Sequence, residues 1–219
     1  MNRSQRRRVL ALLIAHAPTN ALRCALYSLL MGYRFGAGTR LGWGSVIAVD
    51  RFTAGAGVTL RRGNRFIGPI SVELGDRTFV GRANRIDCGD AAADPKVAHM
   101  GYSRRFVTGA DTLINEGHRF DVLGAISIGR GTWIAGFDSQ FLTHGAGTMN
   151  RDIALGEACF VGSAVRFAPG SGVGHRVIVG MAAVVTKRLA EDDVVVAGFP
   201  ARVVKPRVAG DGYEFQKTW

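Results

Sequence analysis

Stepping by six from Leu155 lands on Val161, Phe167, Val173, Val179 and Val185, an unbroken apolar series. In a chain that is 47% hydrophobic, such a run has a chance of about 1 in 100 in any one phase. The residue after each is small: Gly156, Gly162, Ala168, Gly174, Gly180 and Thr186. The same frame recurs upstream at Phe35, Leu41, Ile47 and Thr53, at Leu74, Val80 and Ile86, and at Ile128 and Ile134. Slips between these blocks mark insertions.

A period of six is neither 3.6 nor 2, so the chain is not one long helix or a set of alternating strands. It suits a short strand followed by a tight turn, with one aliphatic side chain per step pointing at a common axis. Three steps close a triangular coil, and stacked coils bury a continuous apolar stripe, each coil held mainly by its neighbours. The 30 glycines among 219 residues, about twice the ordinary share of ~7%, supply the turns. A β-sandwich would show strict alternation and turns every 8–12 residues, which this sequence lacks. The expectation is an all-β triangular prism solenoid.

Two regions leave the period. Residues 1–34 read as a helical segment broken near Pro18, Thr19 and Asn20. Residues 88–106 carry no sixfold signal and read as a loop excursion, the kind of segment that carries function on a rigid scaffold. The division expected is therefore a basic helical segment over 1–34, the solenoid over 35–205 and a tail over 206–219.

The net charge is +11. Arg3, Arg6, Arg7, Arg8, Arg23, Arg34 and Arg40 fall in the first forty residues, where no acid occurs. That front predicts attraction to anionic membrane. Nucleic-acid binding is not expected, because Tyr27 is the one aromatic within the first 32 residues. Alternatively the helices simply cap an open end of the prism. Cys24, Cys88 and Cys159 are scattered, with no C-x-x-C and no zinc-ligand spacing. The apolar run Val9–Ala15 is too short to span a bilayer. The reading is a reduced, cytoplasmic chain, peripheral at the inner membrane face.

Three segments carry a resemblance: Phe160–Gly170 (FVGSAVRFAPG), Val177–Lys187 (VIVGMAAVVTK) and Val195–Lys205 (VVAGFPARVVK). In order and spacing they resemble the hexapeptide-repeat acyltransferases, over about residues 35–205. The resemblance implies a left-handed parallel β-helix, a homotrimer with sites between adjacent prisms, and acetyl-CoA as acyl donor. It also implies a sugar or polysaccharide hydroxyl as acceptor, with an amino sugar, and hence N-acylation, as the alternative. The third alternative is a membrane-bound solenoid without catalysis.

Direct transfer from a thioester needs a general base near neutral pKa, and histidine supplies one. His144, in FLTHGAG just before the last long run of repeats, resembles the family's catalytic histidine; His118 stands in a similar relation to the run beginning at Ile128. His16, His99 and His175 read as exposed loop residues. Asp138, Asn150, Asp152 or a backbone carbonyl could orient His144, and Glu116 could orient His118. By resemblance, Ser163 lies near the donor thioester, Met181 and Ala182 lie along its pantetheine arm, and Thr186, Lys187 and Arg202 lie near its phosphates. Met181 stands where that family usually has a small residue. The γ-class carbonic anhydrases share this prism, but their zinc needs a histidine pair five residues apart, which this chain lacks. No metal is expected.

Overall fold

In the computed structural model, residues 3–145 and 150–208 are described. The repeats wind into a parallel β-helix with three faces, on each of which strands of successive coils pair in parallel. Face I stacks Arg40–Leu41, Thr59–Leu60, Phe79–Val80, Leu113–Ile114, Trp133–Ile134, Phe160–Val161, Ile178–Val179 and Val194–Ala197. Face II stacks the first halves of Val46–Ala54 and Arg65–Leu74, then Arg85–Asp87, Arg119–Asp121, Gln140–Leu142, Arg166–Phe167 and Val184–Val185. Face III runs from Arg34–Phe35 through the second halves of the two long strands to Arg105–Thr108, Ala125–Ile128, Ile153–Leu155, Gly172–Val173 and Arg188–Leu189. The two long strands bend round one corner and so join faces II and III.

Each sixfold position from Leu155 to Val185 points inward and is buried, on faces III, I and II in turn. On face II, Phe120, Phe141 and Phe167 stack with centroids 4.6 and 4.8 Å apart and planes within 12° and 9° of parallel. That spacing is the distance between neighbouring strands. The small residue after each apolar one has a steric cause. A Cβ on Gly75 would lie 2.5 Å from the carbonyl carbon of Gly109, and one on Gly109 would lie 2.5 Å from the Arg130 nitrogen.

The upstream frame needs one correction. Thr53 is exposed and Ala54 is buried. The inward step from Ile47 to Ala54 spans seven residues instead of six as the chain rounds the corner between faces II and III, which moves the inward position on by one.

The first coil has no coil beneath it, so its backbone edge needs other partners. Two helices provide them. α1 (Arg3–Ala15) and α2 (Asn20–Met31) are separated by a turn in which the Thr19 hydroxyl accepts the Leu22 N–H at 3.2 Å. On face I, Asn20 Oδ1 accepts the Leu41 N–H at 2.7 Å and Asn20 Nδ2 donates to the Thr39 carbonyl. Arg23 donates from Nε and Nη2 to the Leu41 carbonyl. On face II the Tyr27 hydroxyl accepts the Ile47 N–H at 3.1 Å, and the Tyr33 hydroxyl accepts the Val49 N–H at 2.9 Å. Side chains thus take the place of a missing strand. At the other end Arg202–Pro206 folds back antiparallel on Val194–Ala197.

Tyr27→Phe keeps the ring and strips the buried Ile47 N–H of its acceptor. The expected loss is about 1–3 kcal/mol of unfolding free energy, read from urea denaturation; an unchanged midpoint would show that the cap does not hold the edge.

Candidate active site

Two excursions leave the prism at the corner between faces II and III. The first follows Arg85–Asp87 and contains the 3-10 turns Asp90–Ala93 and Pro95–Met100. The second lies between Gln140–Leu142 and Ile153–Leu155. The intervening strand Arg119–Asp121 pairs with both Arg85–Asp87 and Gln140–Leu142, so the excursions are two coils apart. Arg151 of the second stands 5.2 Å over the Tyr102 ring of the first. A cavity of about 210 Å³ opens between them, lined by Tyr102, Ser103, Gly124, Asn150, Arg151 and Asp152 among others.

His144 is exposed at the root of the second excursion, and its backbone is anchored twice. The buried Thr143 hydroxyl accepts the N–H groups of Leu123 and Gly124 at 2.8 and 2.9 Å and donates to the Asp121 carbonyl. Asp121 Oδ2 accepts the His144 N–H at 3.1 Å. Burial raises the Asp121 pKa, while the nearby His144 and that hydrogen bond pull it back. Two of the orienting residues expected from sequence are engaged elsewhere. Asp152 accepts the Ala125 N–H at 2.7 Å, and Asp138 lies 3.8 Å from Arg166. Asn150 is exposed. The sequence carries no signal for Asp121, because it sits 23 residues from His144 in a strand with a structural pattern. Gly145 packs where a Cβ would fall 2.8 Å from Pro169 Cγ. Gly147 lies outside the described residues.

His118 belongs to a different structure. At the corner between faces I and II, one side chain per coil accepts the backbone N–H of the corner residue in the next coil. Ser45 Oγ accepts from Asn64, Asn64 Oδ1 from Asn84, Asn84 Oδ1 from His118, His118 Nδ1 from Ser139 and Ser139 Oγ from Val165. His118 is 1% exposed. With Nδ1 accepting, the neutral ring carries its proton on Nε2, which has no hydrogen-bond partner among the described residues. Burial pushes its pKa down to about 4, against weaker opposing effects of Asp138, the Ile134 carbonyl and Glu116. Glu116 itself is paired with Arg82 at 2.8 Å.

The remaining sequence-selected residues divide between two edges of face II. Ser163, Met181 and Ala182 lie on the edge shared with face I, where the Ala182 N–H donates to the Ser163 carbonyl at 2.9 Å. Ala182 has a φ of 57°, costly for a residue with a Cβ, and Met181 is 76% exposed. The turn leading into Arg202 continues this edge, since the Val184 N–H donates to the Gly198 carbonyl. Thr186 and Lys187 lie on the opposite edge, two coils beyond His144. Thr186, Lys187 and Arg202 are exposed, and neither cation makes an ion pair among the described residues. No group of three or more metal-ligating side chains occurs among those residues.

Comparison of folds gives a concordant picture. A hexapeptide-repeat-containing acetyltransferase from Vibrio cholerae O1 biovar eltor, complexed with acetyl coenzyme A, aligns with 94% of this chain and 87% of its own at 19% identity and a TM-score of 0.55. A maltose O-acetyltransferase from Clostridium difficile 630 aligns over 94% and 87% at 17% identity and a TM-score of 0.48. A polySia-specific acetyltransferase aligns over 84% and 88% at 18% identity and a TM-score of 0.46. The chain therefore has the left-handed parallel β-helix fold of the hexapeptide-repeat acetyltransferases. No protein-family model and no curated protein sequence matches it.

The buried ring makes a pH prediction. Free in the unfolded chain, His118 titrates near 6.5; folded, it titrates near 4. Between those values the unfolded state binds the extra proton, so stability falls as pH drops through that window and is level on either side. The loss is at most about 3 kcal/mol. His118→Asn restores the rung type found at Asn64 and Asn84. Urea midpoints at pH 7.5 and 4.5 should therefore separate much less in the variant than in the wild-type protein; equal separation would unlink the ring from folding.

Proposed function

We propose that the protein is a CoA-dependent acyltransferase, an O-acetyltransferase that moves an acetyl group from acetyl-CoA to a hydroxyl of a sugar or polysaccharide unit. The observation that carries this reading is the placement of His144. Its imidazole is exposed while its backbone is clamped by Thr143 and Asp121, on a fold shared over nearly the whole chain with an acetyltransferase that holds acetyl-CoA.

The chemistry follows from that geometry. A neutral His144 accepts the proton of the acceptor hydroxyl as its oxygen attacks the thioester carbonyl. The tetrahedral intermediate then collapses, the C–S bond breaks, and the proton passes to the departing thiolate. No covalent enzyme intermediate is needed. Anchoring the backbone at Thr143 and at the His144 N–H restrains the root of the base, which favours productive orientation. Lys187 and Arg202, exposed cations without ion pairs among the described residues, are suited to the coenzyme phosphates.

Face II accounts for the division of the site. His144 stands on one of its edges and Ser163, Met181 and Ala182 stand on the other, so a single prism does not bring them together. In a cyclic trimer with face II turned to the threefold axis, the His144 edge of one protomer abuts the Ser163 edge of the next. The homotrimer implied by the sequence resemblance thus has a geometric motive. An amino-sugar acceptor uses the same base and remains the alternative.

Acetyl-CoA turnover, followed by thiol release with a panel of sugars and amino sugars, tests the assignment. His144→Ala should lower kcat by about 10²–10⁴-fold with little change in the KM for acetyl-CoA. His118→Asn should stay within a few-fold of wild type. The reverse result would move the base to the other histidine, and wild-type rates for both variants would remove direct transfer altogether.

A further inference from the structure

The inner faces of α1 and α2 close the first coil, so their outer faces form the terminal surface of the prism. That surface is apolar. On α1 Val9, Leu12 and Leu13 are exposed, the first two along a groove of about 410 Å³ that they share with Val46, Arg65 and Ile67 of face II, and on α2 Leu22, Leu29 and Leu30 are exposed. Leu13 is 68% exposed and Leu29 81%. The only charged residue of α2, Arg23, is turned inward and spent on the Ala17 and Leu41 carbonyls. Beside the C-terminus of α1, Trp43 is 58% exposed and meets His16 edge-on at 4.7 Å. Neither helix is long and apolar enough to cross a membrane.

The structure also changes the account of the seven N-terminal arginines. Arg23 is buried, Arg7 pairs with Asp50, and Arg8 pairs with Asp90 at 2.7 Å. Among the described residues Arg3, Arg6, Arg34 and Arg40 make no ion pair, and all four are exposed. An apolar surface bordered by unpaired cations, with no acid in the first forty residues, is the composition of an interfacial membrane element. A second copy of the chain docked end to end would set these cations against their own kind. An anionic bilayer complements them.

We propose that the outer faces of α1 and α2 insert into the headgroup and upper acyl region of an anionic phospholipid bilayer, standing the prism upright on the membrane. Binding rests first on the apolar side chains. The arginines select anionic lipid. This surface is independent of the catalytic assignment.

Sedimentation of the full chain with vesicles tests it, using phosphatidylcholine alone and phosphatidylcholine mixed with phosphatidylglycerol. The wild-type protein should pellet with the mixed vesicles. Leu13→Glu/Leu29→Glu should reduce the apparent partition coefficient by about tenfold or more, at low and high salt alike. Arg3→Gln/Arg6→Gln should mainly erase the preference for the mixed vesicles. Thermal melting checks that each variant is folded, and Leu29→Gln alone serves if the double variant is not. Wild-type pelleting by the folded apolar variant would overturn the proposal. So would light scattering that shows, without lipid, a wild-type mass twice that of the apolar variant, because the surface would then be an end-to-end contact between copies.

Discussion

Hydrogen bonding from each coil to the next is the constraint on which the rest of this structure depends. A coil of about eighteen residues cannot satisfy its own backbone; its N–H and C=O groups point up and down the axis, toward neighbours. That requirement sets the spacing at which Phe120, Phe141 and Phe167 stack. It excludes side chains where Gly75 and Gly109 meet the adjoining backbone. It also creates two open edges. Asn20, Arg23, Tyr27 and Tyr33 close the first with side-chain groups, and Arg202–Pro206 closes the last with an antiparallel strand.

At the corners the same demand is met by side chains. Ser45, Asn64, Asn84, His118 and Ser139 each accept one N–H from the coil beyond. A second corner uses threonine in the same way, with Thr132 Oγ1 accepting the Cys159 N–H and donating to the Gly156 carbonyl. A histidine in such a ladder behaves as an asparagine that can be protonated. Its Nδ1 is occupied by the Ser139 N–H and its ring is buried, so protonating it breaks a rung of the ladder.

His144 owes its exposure to the opposite circumstance. An excursion interrupts the coil immediately after Thr143, so the next residue has no corner to fill. The Thr143 hydroxyl and the Asp121 carboxylate tie the root of that excursion to the strand beneath, which leaves an exposed imidazole on an anchored root. The structure also shows that charge near the N-terminus is not uniformly available. Three of the seven arginines there are committed to the cap or to Asp50 and Asp90.

The six-residue period by itself determined the solenoid, the inward apolar stripe and the small residues at its turns, because each of these is repeated locally and a frame can be followed along the chain. It misplaced the frame at Thr53, where one extra residue passes unmarked. The resemblance of three C-terminal segments supplied the left-handed coil, which periodicity does not encode. Only the tertiary structure decided which histidine faces outward, that Asp121 anchors it, and that Arg23 is part of the cap. The physical reason is the same in each case. The partner of a corner residue lies a whole coil away, 21 residues between His118 and Ser139 and 34 between Asn84 and His118, and the excursions make that separation irregular. A local pattern fixes which way an aliphatic residue points; the group that a polar residue meets is fixed only when the coils are stacked.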